Sequence, residues 1–257
     1  MSDAATNEAV RRQFAAAAAA YATSAVHAGG PDLAALVEAA GLRGAERVLD
    51  LGCGAGHTGL ALAPRAAEVV AVDLTPEMLE VAAGLARERG LANVTFERAD
   101  VAALPFPENS FDLVATRFAA HHFAAPDRAL AEAARVLRPG GTFLLVDTVA
   151  PEDPALDTFF NAFELLRDDS HVRDWRGSEW VRMLGAAGFE ASVLDRFAIW
   201  HDGAAWAARA QTPASRVAMI RELFAGASAA RRAAFEIRDE PWAFTMPVAL
   251  VRGRLTS

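Results

Sequence analysis

The sequence predicts an α/β protein whose sheet is mostly parallel and carries helices on both faces. Three observations lead there. From Arg47 onward, short apolar runs rich in Val and Leu alternate with helical patterns, the grammar of right-handed βαβ crossovers. The first of these strands ends in an acidic residue and a glycine-rich turn that opens a helix. The chain has 257 residues, 53% of them hydrophobic and 23% charged, which suits one large domain with a sizeable core.

Two amphipathic helical patterns come first, over 6–21 and 32–40, the second started by the Pro31-Asp32 pair. Residues 48–51 are a short buried strand and 57–63 a helix ended by Pro64. A strand over 69–73 leads to a helix over 76–89, with Pro76 in its first turn and Gly90 as its stop. Further strands fall at 94–97, 111–116 and 142–147, with a helix over 126–137 before the last. Near-continuous apolar strands imply a parallel sheet covered on both sides.

After Pro151 the rhythm breaks. Residues 155–177 read as an inserted helical segment, 178–187 as a helix and 192–200 as a strand. Residues 204–234 are mainly helical, and 242–252 contain a final strand. The expected organisation is a single domain: an N-terminal helical cap (1–44), a ligand-binding core (45–150), helical cap insertions (151–177 and 201–237), and two segments completing the sheet (178–200 and 238–257).

Composition excludes several classes. The formal net charge is −8 and no stretch is strongly basic, so nucleic acid is a poor partner. Cys53 is the single cysteine; it allows no intramolecular disulfide and has no partner for a CxxC-type zinc site, which fits a reducing cytoplasm. Residues 15–20 are apolar but lack the order of a secretory signal, and no apolar run spans a bilayer. The expected state is a cytoplasmic monomer or homodimer.

The densest signal is Asp50-Leu51-Gly52-Cys53-Gly54-Ala55-Gly56. Glycines allow positive φ and let a ligand approach the main chain, and the carboxyl end of the first strand is where open α/β sheets bind ligands. Asp73 ends the second strand, roughly twenty residues past the glycines, where a carboxylate can accept two ribose hydroxyls. Asp100-Val101 follows the third strand, placed to meet an adenine edge and face. The Gly-x-Gly-x-Gly spacing differs from the dinucleotide pattern and points to a phosphate-free, cationic ligand near acids such as Asp50.

These residues resemble the class I methyltransferases, in the branch of the ubiquinone and menaquinone C-methyltransferases and their small-molecule relatives. The matching blocks are VLDLGCGAGHTGLALA (48–63), VVAVDLTPEML (69–79), ERADVAALPFPENSFDLVATRFAAHHF (97–123) and RVLRPGGTFLLVD (135–147). The run Asp169 to Trp175 followed by Ser178-Glu179-Trp180 is similar to a less characterised subgroup of that branch. The resemblance implies a Rossmann-like seven-stranded sheet with the last strand antiparallel, and S-adenosyl-L-methionine as cofactor, leaving as S-adenosyl-L-homocysteine. It places Gly52, Cys53, Gly54 and Gly56 against the cofactor, Asp73 on its ribose with Leu74 and Met78 beside it, and Asp100 and Val101 on its adenine. Arg117 would line the floor near the methyl group, and Tyr21 and His27 would close a lid.

Cys53 reads as a small loop residue, since no base stands beside it. His121 and His122 follow the fourth strand on the rim that faces a transferred methyl, where either could act as a general base or simply cap and pack. His171, Arg173 and Trp175 lie in the insertion expected to roof the pocket. Arg173 could pair with an acceptor carboxylate and Trp175 could stack on a ring, or both could belong to a surface turn held by Asp168, Asp169 and Asp174. Phe159, Phe160 and Phe163, at helical spacing, read as core. No metal is implied, because no cluster of acids and histidines has ligand spacing on the rim. The expected reaction is in-line methyl transfer to a small, partly apolar acceptor. The rivals are other chemistry on a bound S-adenosylmethionine, a non-catalytic regulatory role and a nicotinamide-dependent dehydrogenase.

Overall fold

In the computed structural model, which describes residues 2–256, three helices open the chain: α1 (Asp3–Ala22), α2 (Ala25–Ala28) and α3 (Pro31–Ala40). The Ser2 hydroxyl caps α1 by accepting from the Ala5 amide, and Asp3 sits in the first turn against the positive helix end. α3 starts at Pro31 and stops at Gly41, whose φ of +58° is left-handed. Alternation follows with β1 (Arg47–Leu51), α4 (His57–Leu62), β2 (Glu68–Asp73), α5 (Pro76–Glu88), β3 (Val94–Arg98), β4 (Phe111–Arg117), α6 (Pro126–Val136) and β5 (Leu137–Thr148). The second part holds α7 (Pro154–Arg167), α8 (Gly177–Ala186), β6 (Phe189–Asp202), α9 (Gly203–Arg209), α10 (Ala214–Ala225), α11 (Ala229–Ala234) and β7 (Ala243–Leu255).

The seven strands form one sheet in the order β3-β2-β1-β4-β5-β7-β6. β1 pairs in parallel with β2 and β4, and β7 runs antiparallel to β5 and β6. Strand order reverses between β1 and β4, and a crevice opens there at the carboxyl ends. Alternate residues feed two cores. Leu49, Leu51 and Val114 pack under α6 and α8, whereas Val48, Leu113 and Ala115 meet Leu36 of α3 on the other face. A third apolar cluster joins α7, α9 and α10 to β7 through Phe159, Phe160, Phe163, Trp206, Phe224 and Phe244. The Phe163 ring lies 5.1 Å from that of Phe224 and 5.6 Å from that of Phe244.

The later elements differ from the sequence reading for identifiable reasons. β5 begins at Leu137 rather than 142, because a register shift lets Leu137 pair with Phe111 ahead of the glycines at 140 and 141. Residues 155–177 are only half helical. α7 ends at Arg167, and the following loop is held by the Asp168 carboxylate, which accepts from the Ser170 amide and hydroxyl, and by the His121 carbonyl, which accepts from the amides of Val172 and Arg173. The 204–234 stretch divides into three helices, with Pro213 opening α10 and Gly226 closing it.

Candidate functional site: a glycine turn and two adjoining cavities

β1 delivers its last residue, Leu51, into the turn of residues 52–56, and Gly52, Gly54 and Gly56 all take positive φ. Two of them show different reasons for being glycine. A Cβ on Gly56 would lie 2.8 Å from the Cβ of Ala82 on α5, so Gly56 lets α4 and α5 approach. A Cβ on Gly54 would meet nothing within 4 Å, because it faces open space. That space is a cavity over the turn.

Most residues expected around a cofactor line this cavity: Gly52, Cys53 and Gly54 from the turn, Asp73, Leu74 and Met78 after β2, Asp100 and Val101 after β3. Arg117, Tyr21, His27 and His122 complete it from the β4 end and the N-terminal helices. Asp73 accepts from the Gly54 amide at 2.8 Å and from the Thr75 amide at 2.9 Å, so the carboxylate ties the turn to β2. Burial pushes its pKa up. Asp100 accepts from the Ala102 amide at 2.9 Å and from the side-chain amide of Asn7 at 2.8 Å, and this contact holds α1 across the cavity mouth. Burial, with Asp73 and Asp50 nearby, drives the Cys53 thiol well above its ordinary range, the reverse of nucleophilic activation.

Two expected contacts are corrected. Asp50 lies 1% exposed beneath the turn and does not reach the cavity; its Oδ2 accepts from the Gly59 amide at 2.8 Å, and burial raises its pKa to about 7. Gly56 likewise serves helix packing and does not line the cavity. Arg117 lines it, but four of its five N–H donors are committed. Its Nε donates to Asp32 at 2.6 Å, Nη1 to the His27 carbonyl at 2.8 Å, and Nη2 to the carbonyls of Val26 and Gly29. It therefore fastens the 26–32 segment to the end of β4. His27 accepts or donates at Nδ1 to Ser24 at 2.7 Å, and its ring packs between Tyr21 and Phe118. Burial, with Arg209 and Arg117 nearby, depresses its pKa well below the usual value.

A second, smaller cavity shares Phe14, Tyr21, His27, Phe118 and His122 with the first. His121 lines only this second space. Its Nδ1–H donates to Asp147 at 2.6 Å, and its amide donates to the same carboxylate at 3.0 Å. Burial alone would lower its pKa, but Asp147, backed by Asp174 and Glu164, outweighs that and raises it to about 9. His122, 4.1 Å away ring to ring, donates Nδ1–H to the Ser170 carbonyl at 3.0 Å. Burial and the cationic His121 depress it to about 4. At neutral pH the pair is one imidazolium beside one neutral imidazole, whose Nε2 remains an acceptor at the junction of the cavities.

The roof residues read from the sequence do not reach either cavity. Arg173 is spent on Asp157, with Nη2 at 2.7 and 3.0 Å from its two oxygens. Trp175 packs against the core with the Arg173 guanidinium 5.2 Å from its ring. His171 is buried with Nε2 3.2 Å from the Asn161 carbonyl oxygen, and burial with His121 nearby lowers its pKa to about 2. The 168–176 loop folds inward on its own hydrogen bonds, so these side chains fix the loop.

Among the described residues, Glu164, His171 and Asp174 bring three donor atoms within 4.8 Å of one another, a grouping that spacing along the chain did not reveal. Neighbouring groups already compensate it: Arg167 lies 3.6 Å from Glu164, the Thr148 hydroxyl donates to Asp174, and the His121 cation adjoins both acids. No metal is assigned to it.

The second cavity also contains Glu164, Arg167, His201 and Arg209, which the sequence reading missed. The one available signal was Glu164 with Arg167, an acid and a base one turn apart on the same helix as Phe160 and Phe163.

Residues 49–145 match the family model described as a methyltransferase domain. The chain is 41% identical over 237 residues to the uncharacterized methyltransferase YcgJ of Bacillus subtilis, covering 91% of this chain and 94% of that protein. Against the UbiE ubiquinone/menaquinone biosynthesis C-methyltransferase of Edwardsiella ictaluri, identity is 29% over 181 residues, or 62% of this chain and 72% of the relative. The crystal structure of YcgJ superposes with a TM-score of 0.84 at 40% identity, covering 88% of this chain and 98% of the other. A putative methyltransferase from Bacillus halodurans gives 0.85 at 35% identity, over 89% and 100%. The [4+2]-cyclase SpnF gives 0.58 at 25% identity, over 88% and 80%. The chain belongs to the methyltransferase domain family, with that family's mixed seven-stranded sheet.

Proposed function

We propose that this chain transfers a methyl group from S-adenosyl-L-methionine to a small organic acceptor, releasing S-adenosyl-L-homocysteine. The observation that carries the reading is the adjoining pair of cavities, one over the glycine turn and one beside it, which share a wall that includes His122.

The first cavity has the donor set for an adenosyl ligand. Asp73 and Asp100 offer carboxylates to hydroxyl and amine donors, Leu74, Met78 and Val101 offer apolar faces to a ring, and Gly54 leaves the main chain open to close approach. Bound there, S-adenosylmethionine supplies an electrophilic methyl on a sulfonium. The chain's own residues hold and shield. α1 crosses the mouth through Asn7, Arg117 anchors the 26–32 segment, and His122 offers a neutral Nε2 to a donor on the acceptor. With its pKa near 4, His122 orients that donor more than it removes a proton, so the rate would rest on alignment and exclusion of water. No helix among the described residues is long and apolar enough to cross a membrane, and the second cavity, enclosed by side chains from the N-terminal helices, α7, α9 and the sheet, suits a small molecule.

The test is product analysis with methyl-labelled S-adenosylmethionine and a panel of small acceptors. Formation of S-adenosylhomocysteine together with label in the acceptor supports the proposal. The likeness to a [4+2]-cyclase favours a second reading, in which an acceptor rearranges without release of S-adenosylhomocysteine. That product pattern would replace the first reading.

A further inference from the structure

The lining of the second cavity carries two guanidinium groups and one carboxylate. Arg167 enters from the last turn of α7 and Arg209 from the end of α9. Among the described residues Glu164 is the only carboxylate on the lining, and it pairs at 3.6 Å with Arg167, which leaves Arg209 without an acid. Arg167 gives Nε to the Trp206 carbonyl at 3.3 Å and lays its guanidinium 4.9 Å from the Trp206 ring. The Arg209 Nε is buried without a partner, and the Tyr21 hydroxyl, a neutral group, adjoins both guanidinium groups. Asp168, next to Arg167 in sequence, is turned to Ser170. The third cation, His121, is already answered by Asp147. Buried guanidinium groups need an anion with matching acceptors, and planar forks of N–H donors fit a carboxylate.

Resting on the methyl-transfer reading, the geometry points to an acceptor that is a small organic carboxylic acid, with its carboxylate held between Arg167 and Arg209. Ile199, Met246 and Val248 form the apolar wall for its body, and the shared wall at His122 faces its nucleophilic end. The guanidinium pair thus selects acids over their neutral analogues.

The experiment is calorimetric titration of the full chain with phenylacetate, phenylacetamide and inorganic phosphate, with and without saturating S-adenosylhomocysteine. Phenylacetate should bind about tenfold or more tightly than the amide, the scale of a charge-assisted hydrogen bond. Arg209→Met should bring the ratio near one, Arg209→Lys should keep part of it, and affinity for S-adenosylhomocysteine should be unchanged in both, since Arg209 does not line the first cavity. Equal binding of acid and amide, a preference that survives Arg209→Met, or no binding of either at millimolar concentration overturns the proposal. So does tight binding of phosphate with neither organic probe bound, which would assign the site to phosphate esters. If S-adenosylhomocysteine itself fails to bind, the methyl-transfer reading fails separately, and the ligand-free arms still report on the arginines.

Discussion

Gly54 and Gly56 stand two residues apart in one turn, both with positive φ, yet substitution should separate them. Gly56→Ala adds left-handed strain of roughly 1–2 kcal/mol and a methyl 2.8 Å from Ala82, partly offset by about 0.4–1 kcal/mol from a stiffer unfolded chain. Urea unfolding should show a loss of about 2–4 kcal/mol. Gly54→Ala carries the strain alone, so stability should fall by about 1 kcal/mol, while the methyl enters the cavity and weakens S-adenosylhomocysteine binding. Equal losses of stability in the two variants would contradict the assignment. Arg117→Met leaves Asp32, 1% exposed, without its counter-ion and should cost about 3–5 kcal/mol in the same unfolding assay. His121 supplies a pH signature. Its folded pKa, about 9, lies above the unfolded value near 6.5, so the stability it brings is complete below pH ~6.5 and disappears as pH rises toward 9. Asp147→Asn removes the main raising cause, so the stability gap between wild type and variant should be widest at pH ~6 and shrink by pH ~9. A gap that widens with pH would reverse the sign of this coupling.

At the scale of elements, α1 is held mainly at its polar edges. It is fastened across the cavity mouth by Asn7 on Asp100, by the ion pair of Asp3 with Arg128, and by Gln13 on the Ala210 carbonyl. Gln211 returns the contact to the Ala16 carbonyl, so α1 and the end of α9 close over the two cavities together. These are polar contacts with little apolar burial: Thr6, Ala17 and Ala18 are the buried residues of the helix. Hydrogen exchange of α1 amides should therefore be fast in the free protein and slow by about tenfold or more with saturating S-adenosylhomocysteine. Slow exchange in the free protein, unchanged by ligand, would make α1 a fixed wall. α7 behaves differently, because Phe159, Phe160 and Phe163 lock it into the third core; Phe163→Ala should cost about 3–5 kcal/mol.

For the molecule as a whole, the half around the first cavity was legible because its residues fall at the ends of successive strands. A strand end, a glycine turn and an acid after each of the next two strands are local signals, and the fold brings their residues to one cavity. Asp50 stands outside the cavity for a local reason too: by period-2 alternation it faces the opposite side from Leu49 and Leu51 and accepts from the Gly59 amide. The other half was not legible. Glu164, Arg167, His201 and Arg209 come from α7, β6 and α9 with no repeating interval, and only tertiary packing turns them into one space. His171, Arg173 and Trp175 were expected in an insertion that roofs the pocket or in a surface turn, and the loop that carries them folds inward on its own hydrogen bonds.

The most direct measurement is calorimetric titration of the purified chain with S-adenosylmethionine, S-adenosylhomocysteine and NADH, repeated on Asp73→Ala. The account predicts binding of both adenosyl ligands and not of NADH, weakened at least about tenfold, or roughly 1.4 kcal/mol, in the variant. Binding of NADH alone, of no ligand, or of the adenosyl ligands with Asp73→Ala unaffected would contradict it.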